Sequence, residues 1–421
     1  MYYDRSRRRS SPRRILLLLI LVGIGVILIA NQNELRQQVL PAPTPTATRT
    51  AKSYIVEAES LAQTGNLKAA AKAYIQATSL EPENVEVLTT LARIMALTDR
   101  TTEGVKWAER AVQAAPKSAM AQAALGMALK FQTGKLALQG RDLEAGKTLL
   151  EALAAAKQAV TLDPDYPEGQ AYLAEIYAEI GDLENADVSI QKALGLDPNR
   201  SEVRRAQGAV LENEGHYTDA AEAYRQAITR APNVAYLYLM LGRAYTVIAS
   251  ARDASLWASA LATFKQGAQV DPTDVRLLDE WGWTHYALDQ YRDAQEVLEK
   301  ATQLDPQAWS PRSHLAATYF QRANYEAAIE SFKQALQMMN DTFDADHYCV
   351  TAKTQSCLRL VQAYSTLGYA YRLLGQCAPG GLGAFRKALI IRPDNLTAQG
   401  GYNNCAEDLG TKVPRTPTPR P

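Results

Sequence analysis

Between residues 167 and 234 the chain writes one hydrophobic pattern twice. Small and apolar residues recur three, four and seven apart from Leu173 to Tyr177, and again from Ala186 to Ala193, which is helical spacing. Gly181 separates the two runs, and Asp197-Pro198 ends the second, because proline cannot continue a helix and biases its predecessor toward extended backbone. Thirty-four residues on, Gln207-Gly208-x-x-Leu211 takes the place of Leu173-Ala174-x-x-Tyr177. Gly215, Ala220, Tyr224, Ala227 and Pro232 take the places of Gly181, Ala186, Ile190, Ala193 and Pro198. Each unit predicts a helix, a tight turn and a second helix. Alanine or glycine at Ala174, Gly208, Ala186 and Ala220 lets helix axes approach closely. One such pair cannot bury its apolar face alone, so neighbouring pairs must stack into an all-α solenoid.

A 34-residue period with these small and aromatic positions resembles the tetratricopeptide repeat family, whose signature runs W-x2-L-G-x2-Y, then A-x3-F, then P. The resemblance covers about 360 of the 421 residues, although the signature tryptophan is absent from its position throughout. Units fall near 51–84, 85–118, 119–166, 167–200, 201–234, 235–274, 275–308, 309–342 and 361–395, with a capping helix at 396–410. The third carries fourteen extra residues that predict lengthening of both its helices, and the sixth carries six around Ser250 to Ser255. Residues 341–357 interrupt the series before a helix expected to start near Val361. The resemblance implies a right-handed α-solenoid of about nine repeats and a class of work, partner binding.

The ends of the chain differ from its body. Residues 1–14 hold six arginines and one acid, Asp4, so the remaining 39 bases and 44 acids leave the body mildly acidic. Nucleic acid is not expected as its partner. Ile15 to Ala30 then runs sixteen residues without a charge, about 24 Å of helix against a bilayer core of roughly 30 Å. The basic head followed by this run predicts a retained single-pass transmembrane signal anchor at 15–30. Residues 1–14 would form a cytoplasmic tail, and the repeats would lie extracytoplasmic at the cell membrane. The rival is a cleaved signal peptide, but a cut after Ala30 puts Leu28 at −3, where a small residue is needed. Residues 31–50 form a Pro/Thr-rich linker, and 411–421 a tail of the same flavour with too little apolar content to pack.

Ingredients for catalysis are sparse, and no enzyme activity or cofactor is expected. The four histidines, His216, His285, His314 and His347, are scattered, and His285 falls on the Tyr177-equivalent position, where a packed core histidine is expected. Asp344, Asp346, His347, Cys349 and Cys357 crowd one insertion, yet H-x-C-x7-C matches no common zinc spacing, so no metal is expected. All four cysteines lie in the last quarter of the chain, an even number in a segment placed outside the cytoplasm, which favours disulfides. A helix from Val361 would hold Cys357 and Cys377 about 22 Å apart. Bridged Cα atoms lie within about 7 Å, and Cys405 is level with the turn holding Cys377. The expected pairs are therefore Cys349–Cys357 and Cys377–Cys405.

The remaining candidate is a surface. In the family resembled, positions 2, 5, 9, 12 and 13 of each first helix line a concave groove. Carried onto this chain, they give Tyr236, Leu239, Arg243 and Thr246, then Arg276, Asp279, Trp283 and Tyr286, then Ser310, Ser313, Ala317 and Phe320, then Tyr369 and Arg372. Units four and five offer Glu168, Glu175, Glu179, Glu202, Arg205 and Glu212, so the groove reads acidic in the middle and aromatic with arginine beyond. Tyr236, Arg243, Trp283, Tyr286, Phe320, Tyr369 and Arg372 form the expected partner site. The partner would be another protein, bound as an extended peptide or a helix. A glycan-binding module using the groove aromatics is the alternative. Padding of neighbouring helices is the competing use of the same side chains.

Overall fold

A computed structural model describes residues 11–30, 49–342, 349–350 and 354–410. The calls made on residues 1–10, on most of the linker, on Asp344, Asp346 and His347, and on the 411–421 tail lie outside the described residues. Among those described, the chain forms twenty α-helices and no strand, in two separate units divided after Thr50.

The first unit contains helix α1 (Pro12–Ala30), whose apolar side chains are largely exposed. The transmembrane anchor expected here is not found. Among the described residues no helix is long and apolar enough to cross a membrane.

The second unit is the repeat array. Its nine helix pairs are α2 (Ala51–Gln63) with α3 (Leu67–Leu80), α4 (Val85–Leu97) with α5 (Thr101–Ala114), and α6 (Ala119–Leu138) with α7 (Asp142–Leu162). They continue as α8 (Pro167–Ile180) with α9 (Leu183–Leu196), α10 (Ser201–Asn213) with α11 (Tyr217–Arg230), and α12 (Ala235–Ala251) with α13 (Leu256–Val270). The series ends with α14 (Val275–Ala287) and α15 (Tyr291–Leu304), α16 (Trp309–Gln321) and α17 (Tyr325–Thr342), α18 (Gln355–Leu373) and α19 (Leu382–Ile391), and the single helix α20 (Leu396–Asp408). Starts are set by side-chain caps. Asn66, Asn84, Ser118, Asp182, Asp274 and Asn395 each accept a hydrogen bond from a first-turn backbone N–H. The turn between paired helices needs one left-handed residue. Gly181 supplies it at φ 87°, and in units two and eight Asp99 and Ala323 adopt φ 61° and 58° at the same place. The insert of the third unit does lengthen both helices, to 20 and 21 residues.

Packing within a pair turns on the small residue of the first helix. A methyl group at Gly208 would come within 2.5 Å of the Tyr224 ring, and one at Gly242 equally close to Phe264. The glycine is therefore the socket for the second helix's aromatic, and Tyr224, Phe264 and, against Gly368, Phe385 are fully buried in this way. The structure pairs Cys349 with Cys357 and Cys377 with Cys405, with Cα atoms 5.3 Å apart in each. The second bridge ties the turn before α19 to α20, where the array has lost one neighbour.

The array also meets itself. Lys68 Nζ lies 2.9 Å from Asp271 Oδ1, Arg93 3.2 Å from Glu202, and Lys135 2.9 Å from Asp99 and 2.6 Å from Asp305. Thr354 and Ser356 both donate to Asp142 at 2.9 Å, across more than 200 residues. Repeats three to six apart thus touch, and first helices such as those of Arg93 and Glu202 face one another across the axis of the coil.

Candidate functional site

The axis is polar and largely neutralised from within. Arg205 of α10 makes a two-pronged pair with Glu175 of α8, at 2.6 and 3.2 Å, with both side chains almost fully buried. Lys130 of α6 lies 3.8 and 3.6 Å from Glu175 and Glu179, and its ammonium reaches the Tyr236 hydroxyl at 3.3 Å. Burial pushes Lys130 toward neutrality, but Tyr236 and the two carboxylates outweigh it and hold its pKa above the usual lysine range. Arg205 behaves alike: burial works against the charge, and Glu175 more than restores it. Arg276 is fixed by Asp274 at 2.7 Å, with Asp99 at 3.5 Å. Arg243 is held more loosely, 3.8 Å from each of Glu212 and Glu280, and its side chain is 44% exposed.

These side chains line an axial cavity of about 530 Å³ between α6, α8, α10, α12, α14 and α18. Tyr236 and Arg243 belong to it, along with Lys130, Glu179, Glu280 and Arg359. Beside it lies a smaller cavity of about 150 Å³, lined by Trp283, Tyr286, Trp309, Ser313, His314 and Phe332, and again by Arg359. Four of the seven residues expected at the partner site thus gather in two adjoining cavities. Phe320, Tyr369 and Arg372 line neither. Phe320 packs on Tyr325 with centroids 5.6 Å apart, and Tyr369 meets Phe385 edge-on at 5.0 Å while donating to the Thr397 carbonyl. Arg372 pairs with Asp408 of α20 at 2.8 Å.

Most of the expected aromatic faces are also covered. Trp283 stacks on Tyr286 at 4.5 Å and on the His314 ring at 4.2 Å, and Tyr236 packs on Phe131 at 4.6 Å. An open aromatic platform of the kind a sugar needs is not formed by these rings. His285, expected in the core, is half-buried and bonds Gln290 through Nδ1 at 2.6 Å. The buried histidine is His314. Its Nδ1 meets Asp279 Oδ1 at 2.7 Å, and the Ser310 hydroxyl donates to Asp279 Oδ2 at 2.7 Å. Burial favours protonating Asp279, but the His314 charge and these two hydrogen bonds win and lower its pKa. The sequence signal for this pair was available, since residues 35 apart lie one repeat and one position from each other. Among the described residues no cluster suited to a metal ion occurs.

An all-helical array of stacked helix pairs around a lined axial cavity is a repeat-protein architecture. Two family models described as Tetratricopeptide repeat match it, one over residues 55–119 and 205–268, the other over 143–210 and 285–348. Together they cover more than half of the sequence, and the chain belongs to the tetratricopeptide repeat family. Its fold is that of a protein–protein interaction scaffold. Among curated proteins it is 20% identical over 212 residues to Superkiller protein 3 of Schizosaccharomyces pombe, covering 50% of this chain and 15% of that protein. It is 21% identical over 205 residues to BBSome complex member BBS4 of Bos taurus, covering 49% of this chain and 37% of that one. The chain therefore matches well under half the length of either relative. Among solved structures, the human IFIT1 dimer with PPP-AAAA superposes with a TM-score of 0.52 at 17% identity, over 81% of this chain and 83% of that one. Cut9 with Hcn1 of the APC/C superposes with 0.53 at 14% identity, over 86% and 70%. These likenesses concern the fold.

Proposed function

We propose that the chain is a non-enzymatic scaffold that receives an extended segment of a partner protein in its axial cavity. The carrying observation is the cavity of about 530 Å³ lined by Tyr236 and Arg243 on first helices of the array. Arg243 is the side chain there best placed to trade its two long ion pairs for a partner's acceptor, since neither pair is tight. A photo-crosslinking residue placed at Asn213, which lines the cavity and is exposed, should yield a polypeptide adduct. The same residue placed at Leu196, exposed and not among the cavity's lining, should not. Arg243→Ala should lower the affinity of the captured partner about tenfold, roughly 1.4 kcal/mol. Equal adduct yield from both positions would remove the cavity from the reading. No observation favours the glycan alternative over this one.

The proposal extends to location, with α1 holding the chain at a cell membrane, residues 1–14 on the cytoplasmic side and the repeats on the other. An apolar stretch somewhat shorter than the bilayer is accommodated by local thinning and by snorkelling of flanking cations, here Arg13 and Arg14. Protease added to intact cells should digest the repeats and leave a tag at Met1 intact. A chain protected along its whole length would overturn this placement.

A further inference from the structure

Arg359 stands apart from the other cations of the two cavities. Lys130, Arg243 and Arg276 each have at least two carboxylates within 4 Å. Arg359 is half-buried near the start of α18, lines both cavities, and donates one hydrogen bond, to the Ser310 hydroxyl at 3.2 Å. No carboxylate among the described residues reaches salt-bridge distance of its guanidinium. The nearby acid, Asp279, accepts from Ser310 and meets His314, and it feels the Arg359 charge only from beyond salt-bridge distance. A guanidinium carries five N–H donors in a planar fork that matches two carboxylate oxygens.

We propose that Arg359 is the anchor for a single carboxylate of the segment bound in the axial cavity, and that the group bearing it enters the smaller cavity. This rests on the proposed function and names its specificity. The smaller cavity, about 150 Å³, is below the size of ordinary small-molecule sites and suits one side chain. Part of its wall, Trp283, Trp309, Ala317, Phe332 and Ala363, is apolar and fits a methylene stem, and Ser313, Gln362 and Thr366 add polar groups beside it. One unpaired guanidinium beside a paired aspartate matches a monoanion, and a dianion would be left with an uncompensated charge. The position is also fixed. Thr354 caps α18 by accepting from the Cys357 N–H, and Cys357 is bridged to Cys349, so the turn carrying Arg359 is held at its start.

The test uses immobilised full-length protein and libraries of nonapeptides with random flanks and a fixed central Glu, Asp, Gln or Asn. Each library is made with a free C-terminus and as the C-terminal amide. Wild type should retain the Glu and Asp libraries at least about tenfold better than their amide counterparts. Arg359→Gln, which keeps a donor for Ser310 and should melt with wild type, should erase that preference, and Arg359→Lys should keep part of it. Retention that depends on the free terminus and on Arg359, whatever the central residue, supports the same anchor with the chain terminus as the carboxylate's source. Retention indifferent to both the carboxylate and Arg359 overturns this inference and leaves the scaffold reading standing. If no library is retained by wild type, both fall.

Discussion

Replacing Arg205 with leucine is expected to destabilise the repeat array by about 3–5 kcal/mol, although the position reads from sequence as an ordinary groove arginine. The guanidinium is 4% exposed and gives Glu175 two hydrogen bonds that no other residue can supply. Without it, Glu175 keeps Lys130 at 3.8 Å, a distance too long for a good hydrogen bond, and Lys130 is shared with Glu179. A carboxylate left so in a dry site must either stay charged at high cost or take up a proton. Removing both partners should be far less harmful. Arg205→Leu with Glu175→Leu swaps a buried pair for apolar volume, which is commonly neutral or stabilising. The double-mutant cycle should therefore show a coupling of at least about 2 kcal/mol. Denaturant midpoints are the appropriate readout, because repeat arrays do not always unfold in one step. A single mutant within about 0.5 kcal/mol of wild type would mean that water reaches the axis freely and that the ion pair is a surface one.

That pair shows where the sequence stops being legible. The period, the turn glycines and the sockets at Gly208 and Gly242 are local, recur from unit to unit, and can be read directly from spacing. The lengthened helices of the third unit follow from the amphipathic spacing of Leu136 to Leu150, which continues on both sides of the turn at Gly140. Closure of the array is not local. Each repeat adds a small rotation, and only the sum over several repeats brings Lys68 to Asp271, five units on, or Arg93 to Glu202, three units on. Glu168, Glu175, Glu202 and Arg205 therefore read as an acidic groove, while the fold sets them against Arg200, Arg205, Arg93 and Glu175. Arg359 was missed for a nearer reason. The repeat pattern of the ninth unit begins at Val361, whereas Thr354 caps the helix seven residues earlier. Helix-capping chemistry was the signal, and the repeat template hid it.

Phe332→Ala should cost about 3–5 kcal/mol, the usual penalty for emptying a fully buried aromatic site, since the ring is 1% exposed within the largest core of the array. That core also includes Trp309, Met339 and the bridged Cys349 and Cys357, so little can collapse into the space. Trp283→Ala is the informative companion. By sequence alone it should spare folding and hurt binding, because packing already has Trp281, Tyr319, Phe332 and Phe385. The stack changes that expectation. Stacked on both Tyr286 and His314, Trp283 joins α14 to α16 and steadies the imidazole that holds Asp279. Losing two aromatic contacts plus the buried area of the ring should lower stability by about 2 kcal/mol, less than Phe332→Ala because Trp283 is only partly buried. Melting both variants beside wild type separates the cases. If Trp283→Ala melts with wild type, the ring carries no packing duty despite its neighbours, and its partly open edge in the small cavity is left as the reason for its place.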